Sequence, residues 1–166
     1  MLGSAFAAHA PDTIETYPRE LRPEIDAWNE RIHRHLNNGV YRAGFATTQS
    51  AYDEAVVGVF DTLGAIDDSL AHSAYLCGDT PTEADWRLLP TLVRFDVGYF
   101  SAFKCNLRRV GDYPRIPGYL RRLLADTEVR ETVHLDVYRR GYHSRSDARN
   151  PHGIVPVGPL DVLWRA

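Results

Sequence analysis

The side chains in this chain that could do chemistry are two cysteines, seven histidines and nine tyrosines. Tyr41 stands out because it follows the run Asn37-Asn38-Gly39, whose residues readily take the left-handed conformation that ends a helix. A phenolic hydroxyl beside such a break can donate a hydrogen bond to a bound oxygen or act as a modest general acid. The ordinary alternative is a packed ring whose hydroxyl reaches the surface.

The cysteines and histidines predict neither a nucleophile nor a metal site. Cys105 lies in an apolar stretch, where desolvation raises the pKa of a thiol and makes it inert, and Cys77 lies in a turn that we expect to be exposed. His33 and His35 are two residues apart, which points them to different faces of a helix. They have no cysteine or acidic partner at ligand spacing, so we predict that the chain binds no metal.

Hydrophobic periodicity predicts helices along most of the chain. Apolar residues recur every three or four positions over residues 21–36 and again, most clearly, over residues 52–70. Pro23 falls early in the first of these helices, where proline is best tolerated. Thr47, Thr48 or Ser50 would cap the start of the second helix.

Residues 82–85 read TEAD, which is a capping-box pattern. In that pattern Thr82 and Asp85 bond to each other's backbone and start a helix, so we assign both a structural role. The helix should run to about Cys105, and because it is apolar on several faces we expect it in the middle of a bundle. Pro90 removes one of its backbone hydrogen bonds and should kink it.

The rest of the chain predicts two more helices and two irregular ends. A short helix should open after Pro114 or Pro117, and a single helix should follow over residues 126–140. Residues 1–18 are expected to form a linker or irregular arm, and residues 144–166 an extended C-terminal tail. No segment alternates with a period of two, so no strands are expected and the predicted fold is an all-α bundle.

Composition excludes several classes of protein. The formal net charge of −3 argues against a nucleic-acid partner, and no apolar stretch approaches the ~20 residues of a membrane span. Two cysteines without a CxxC pair favour a reducing, cytoplasmic setting. Arg94 and Asp96 lie among apolar neighbours, so we expect each charge to be paired.

Three long motifs make a family resemblance specific. They are NNGVYRAGFATTQSAYDEAV from residue 37, TEADWRLLPTLVRFDVGYFSAFKCNLRRVGDYP from residue 82 and NPHGIVPVGP from residue 150. Together they resemble the C-terminal half of the glutathionyl-hydroquinone reductases, the Xi class of glutathione transferases. The resemblance extends from the first residues to about Pro159.

The resemblance implies a helical bundle of the glutathione-transferase C-terminal type over residues 19–143. In the family, a thioredoxin-like N-terminal domain binds the co-substrate glutathione and carries the reactive cysteine in a Cys-Pro motif. This chain shows no thioredoxin-like pattern and no Cys-Pro pair, so we expect that domain to be absent, no catalytic residue to lie in this chain, and the chain alone to be inactive. The family also implies a homodimer.

The resemblance assigns the substrate pocket to Tyr41 and Tyr142. The family reduces a glutathionyl-hydroquinone to the hydroquinone and releases glutathione disulfide. Thiolate attack on the thioether sulfur leaves electron density on the ring, which phenolic donors can stabilise. Two such donors could hold the two ring oxygens. After Tyr142 the run from His143 to Ser146 departs from the family pattern.

Two alternatives remain open from the sequence. A helical domain without a nucleophile could be a non-enzymatic interaction module. It could also be a free-standing binder of quinols or related phenols.

Overall fold

The computed structural model describes residues 14–159, and regular structure in that range is helical apart from isolated bridges at Tyr75–Gly78 and Ser146–Asn150. The α-helices are α1 (Arg22–Arg31), α2 (Gly39–Gly44), α3 (Gln49–Ser69), α4 (Glu83–Arg94), α5 (Phe100–Ala102), α6 (Ile116–Leu123), α7 (Thr127–Glu131) and α8 (Leu135–Tyr142). Shorter segments are the 3-10 turns Arg19–Leu21 and Val110–Asp112 and the π-helical stretches Ile32–Asn37 and Phe95–Tyr99. The predicted all-α fold class is confirmed. No helix within residues 14–159 has both the length and the hydrophobicity that a membrane span requires.

The break before Tyr41 differs from the prediction. Asn38 has φ −87° and ψ −26°, which is right-handed, and Gly39 is the first residue of α2 rather than a left-handed helix end. The segment that precedes α2 is the π-helical stretch Ile32–Asn37. Gly39 is required for packing, because a Cβ there would lie 3.0 Å from a methyl carbon of Val59 on α3.

Helix α3 follows the predicted stripe. Val59, Leu63 and Ile66 are completely buried along one face. The hydroxyl of Thr48 accepts a 3.3 Å hydrogen bond from the backbone N–H of Ala51, which caps the helix start.

The central helix is shorter than predicted and changes its winding. Pro90 lies inside α4, and the chain becomes π-helical at Phe95–Tyr99, where all five residues are buried. Regular helix ends at Ala102, so Cys105 lies beyond it instead of inside it. The burial of this segment agrees with its predicted place in the middle of the bundle.

The single helix predicted over residues 126–140 is wrong. The chain forms α7 and α8 there, separated by residues 132–134. Asp126 caps α7 by accepting a 2.8 Å bond from the N–H of Glu128. The break lets α8 take its own direction and bring Tyr142 to the bundle end that carries Tyr41.

Two buried aspartates bind the irregular segments. Asp67 on α3 accepts from the backbone N–H groups of Arg115 and Ile116 at 2.8 and 3.2 Å, at the start of α6. Asp96 accepts from the N–H groups of Val110 and Gly111 at 2.7 and 3.0 Å. Burial raises the pKa of Asp96, while these two backbone bonds act in the opposite direction.

Arg94 and Asp96 each have a partner, as expected, but they do not share one. Asp96 is satisfied by backbone amides, and the guanidinium of Arg94 lies 5.0 Å from the centre of the Tyr138 ring. The two side chains therefore have different partners.

Asp85 does more than close the turn before α4. The capping box with Thr82 is present, and Oδ2 of Asp85 accepts from the Thr82 N–H at 2.7 Å. Its Oδ1 accepts from the N–H of Leu76 at 3.0 Å and from the hydroxyl of Tyr119 at 2.8 Å. Because Asp85 is completely buried, its removal would leave donors in three segments without a partner.

Asp85→Ala should therefore cost more than an ordinary cap. We expect a loss of at least about 3 kcal/mol in the free energy of unfolding, because buried unsatisfied donors add to the lost cap. Asp126→Ala removes the exposed cap of α7 and serves as the matched control, with an expected loss of about 1 kcal/mol. Urea unfolding measures both, and equal losses would refute the role of Asp85 as a hub.

Candidate substrate-binding site

Three tyrosine hydroxyls from separate elements meet at one end of the bundle. The hydroxyl oxygens of Tyr41 and Tyr142 are 3.0 Å apart, and those of Tyr99 and Tyr142 are 2.8 Å apart. Tyr41 and Tyr99 complete the triangle at 3.4 Å. We call these three residues the tyrosine cluster. A triangle of hydroxyls this small can converge on one oxygen atom of a ligand.

Tyr41 occupies the exposed side of the cluster. Tyr41 lies on α2 and is 39% exposed. Its ring packs edge-on against the ring of Phe103, with centroids 5.2 Å apart. Phe45, one turn later, stacks nearly parallel to it at 6.5 Å. The hydroxyl of Tyr41 is thus held by aromatic packing while its ring remains open to a ligand.

Tyr99 is the member that sequence reasoning missed. It ends the π-helical stretch Phe95–Tyr99 and is 1% exposed, so in the sequence it reads as one more apolar core position. Single π-helical turns inside helices often occur at functional sites, but their position cannot be read from hydrophobic periodicity. In the structure, this π-helical turn ends at Tyr99, and the Tyr99 hydroxyl lies beside that of Tyr142.

Tyr142 is the last residue of α8 and packs directly on the backbone of Gly98. A Cβ at Gly98 would lie 2.6 Å from Cδ2 of the Tyr142 ring. The next residue, His143, is buried and holds this end of α8 in place. Its Nδ1 contacts the carbonyl of Arg139 at 2.9 Å, and its Nε2 contacts the hydroxyl of Ser101 at 2.8 Å.

Burial raises the pKa of two members of the cluster, Tyr99 and Tyr142. Desolvation is the largest cause that raises the pKa of Tyr142, to about 12, followed by its hydrogen bond with Tyr41. Desolvation, followed by the hydrogen bonds with Tyr142 and Tyr41, also raises the pKa of Tyr99. Both therefore remain neutral hydrogen-bond donors at physiological pH. A raised pKa makes them poorer proton donors, which favours hydrogen bonding to a ligand oxygen over full proton transfer.

A cleft of about 480 Å³ opens beside the cluster. Tyr142 lines it together with Ser101 and Lys104 from the end of the central helix and with Arg149 from the C-terminal segment. The guanidinium of Arg149 lies 4.4 Å from the centre of the Phe45 ring and 5.4 Å from that of Phe103. The site thus combines aromatic surface, neutral phenolic donors and positive charge.

Both cysteines are unsuited to nucleophilic chemistry. The prediction that Cys77 is exposed is wrong, because its turn folds back and leaves it 4% exposed, and burial raises the pKa of its thiol to about 11. Cys105 is completely buried, and burial raises its thiol pKa to about 12. Neither cysteine lines the cleft beside Tyr142. Between residues 14 and 159, no three His, Cys, Asp or Glu side chains are grouped in a way that could hold a metal ion.

Sequence comparisons relate the chain to known proteins. Residues 49–122 match the family model of the glutathione S-transferase C-terminal domain. The chain is 48% identical over 163 residues to the glutathionyl-hydroquinone reductase PcpF of Sphingobium chlorophenolicum, covering 98% of this chain and 52% of PcpF. It is 43% identical to the glutathionyl-hydroquinone reductase YqjG of Escherichia coli K12, covering 98% of this chain and 50% of YqjG.

Structural comparisons agree. The glutathione-bound structure of YqjG superposes with a TM-score of 0.91 at 43% identity, over 98% of this chain and 53% of that one. The Xi-class transferase of Phanerochaete chrysosporium gives a TM-score of 0.88 at 38% identity, over 94% of this chain and 54% of that one.

The fold is that of the helical C-terminal domain of glutathione S-transferases. Within that class, the chain resembles the C-terminal part of the glutathionyl-hydroquinone reductases, and the resemblance stated from its motifs is confirmed. The chain spans about half the length of the curated relatives it matches.

The contact of Tyr142 with Gly98 can be tested by adding one methyl group. Gly98→Ala should destabilise the domain by about 2 kcal/mol, because the new Cβ overlaps the Tyr142 ring. Gly64→Ala is the control, since a Cβ there meets no atom within 4 Å. It should stabilise α3 by about 0.5–1 kcal/mol. Thermal unfolding followed by circular dichroism measures both, and a Gly98→Ala protein as stable as the wild type would refute the packing.

Proposed function

We propose that this chain is the substrate-binding part of a glutathione-dependent enzyme that reduces glutathionyl-hydroquinones to hydroquinones. The observation that carries the proposal is the meeting of the Tyr41, Tyr99 and Tyr142 hydroxyls within 3.4 Å beside an open cleft. The similarity to two glutathionyl-hydroquinone reductases supplies the substrate class. Other parts of the proposal taken from the family are a homodimer, a cytoplasmic location and glutathione as co-substrate.

The geometry of the cluster favours one ligand oxygen over two. The ring oxygens of a hydroquinone lie on opposite sides of the ring, whereas the hydroxyls of Tyr41 and Tyr142 are only 3.0 Å apart. In this proposal, both hydroxyls donate to the same quinol oxygen, and Tyr99 holds them from the buried side. The expectation from the sequence, in which Tyr41 and Tyr142 each hold a different ring oxygen, fits this spacing less well.

The chemistry follows from that placement. A thiolate attacks the glutathionyl sulfur, a disulfide forms, and the electron pair of the broken carbon–sulfur bond remains with the ring until a proton is taken up there. Donors fixed on a ring oxygen stabilise the charge that develops in this step, and aromatic packing already holds the hydroxyl oxygens of the cluster close together. The buried Cys77 and Cys105 do not supply the thiolate, so the proposal assigns it to the part of the enzyme that this chain does not cover.

The test joins this chain to the part of PcpF that it does not cover and measures turnover of a glutathionyl-hydroquinone with glutathione. The fusion should be active, and Tyr41→Phe or Tyr142→Phe should lower kcat about 10- to 100-fold, because each removes a donor to the ring oxygen. Tyr138→Phe is the control; its hydroxyl bonds to the carbonyl of Thr132, outside the cluster. It should change kcat less than about twofold.

Three outcomes would contradict the proposal. If Tyr41→Phe and Tyr138→Phe lower kcat equally, the tyrosine cluster has no specific role in the reaction. A folded, dimeric fusion without turnover would favour the alternative of a non-enzymatic helical interaction module. If the unfused chain binds free hydroquinone while the fusion is inactive, a free-standing quinol binder is favoured.

A further inference from the structure

We propose that the cleft beside the tyrosine cluster binds an anionic substituent of the ring, so that the preferred substrates are conjugates of hydroquinones that carry a carboxylate. This inference rests on the proposed function and specifies its substrate class. It depends on two cationic side chains, Lys104 and Arg149, and on their position relative to Tyr142.

The cleft is positively charged. Lys104 and Arg149 line it, and its remaining lining residues are neutral side chains and a histidine, His143. Asp147 belongs to the same C-terminal turn as Arg149 but does not line the cleft. In the part of the chain that the structure describes, neither cation has a carboxylate within ion-pair distance. An anion entering the cleft would therefore meet unneutralised charge.

Arg149 is held at the edge of the cleft by contact with two aromatic rings. Its guanidinium lies over the rings of Phe45 and Phe103 at 4.4 and 5.4 Å, in cation–π contact. The N–H groups of a guanidinium form a planar fork that matches the two oxygens of a carboxylate, which makes arginine a strong partner for planar anions.

Lys104 is placed by an unusual backbone. Its φ of +59° is the one positive value found at a non-glycine residue within the described range 14–159. The Tyr52 hydroxyl fixes this conformation by donating a 2.6 Å hydrogen bond to the Lys104 carbonyl. A left-handed backbone is unfavourable for a residue that carries a side chain, and such strain is concentrated at functional sites. The result is that Lys104 lines the cleft at the end of the central helix.

The position of the tyrosine cluster relative to the cleft indicates which ring position carries the anionic substituent. Tyr142 both belongs to the cluster and lines the cleft. A ring whose oxygen accepts from the cluster would therefore lie beside the cleft, and a substituent next to that oxygen would be the one nearest to it. The fitting chemistry is a hydroquinone with a carboxylate next to one hydroxyl.

The experiment compares 2,5-dihydroxybenzoate, unsubstituted hydroquinone and benzoate as ligands of the whole 166-residue chain, followed by chemical shifts in nuclear magnetic resonance. Dihydroxybenzoate should bind roughly tenfold more tightly than hydroquinone, the size of one charge-assisted contact. Arg149→Gln should bring this ratio close to one, and Arg149→Lys should preserve part of it. Arg145→Gln, an exposed position outside the cleft lining, should leave the ratio unchanged.

Each other outcome counts against a stated claim. If hydroquinone binds at Tyr41 and Tyr142 but the carboxylate adds no affinity, or if Arg149→Gln leaves the ratio intact in a protein with a native circular dichroism spectrum, the anionic subsite is refuted and the proposed function stands. If neither quinol binds, both the subsite and the quinol site are refuted. If benzoate binds as tightly as dihydroxybenzoate, the ring hydroxyls add nothing, and the quinol site is refuted together with the substrate class proposed from it.

Discussion

The site depends on the direct contact between the Tyr142 ring and the backbone of Gly98. Any side chain at Gly98 would occupy the space of the ring, since even a Cβ would come within 2.6 Å of it. The contact brings α8 against the π-helical stretch Phe95–Tyr99, and it places the Tyr142 hydroxyl within hydrogen-bonding distance of Tyr99. A second contact of the same kind, between Gly44 and the Phe103 ring, lets α2 approach. The cluster forms because two glycines let three aromatic segments pack closely.

Buried carboxylates hold the segments that hydrophobic packing leaves irregular. Asp67, Asp85 and Asp96 each accept from backbone N–H groups of a neighbouring turn. Such a bond satisfies a donor that would otherwise be buried without a partner. The central helix and α3 can therefore be connected by tight, non-helical turns. The rigid bundle that results is the scaffold on which the tyrosine cluster is preorganised.

The sequence predicted the elements with strong periodicity and missed the changes of helix winding. The stripe of α3 and the capping box at Thr82 and Asp85 are local patterns, and the structure contains both. The π-helical stretches, the burial of Cys77 and the break between α7 and α8 depend on tertiary contacts that periodicity does not encode. Tyr41 and Tyr142 came from motif resemblance. Tyr99 was missed because a buried tyrosine in an apolar run reads as core.

In the proposed binding mode, the hydroxyls of Tyr41 and Tyr142 both donate to one quinol oxygen, and a crystal structure of this chain with bound hydroquinone tests that mode most directly. We expect one ring oxygen within about 3 Å of the Tyr41 and Tyr142 hydroxyls, with the ring edge facing Arg149. A hydroquinone bound elsewhere, or bound with its two oxygens each on a different tyrosine, would contradict it.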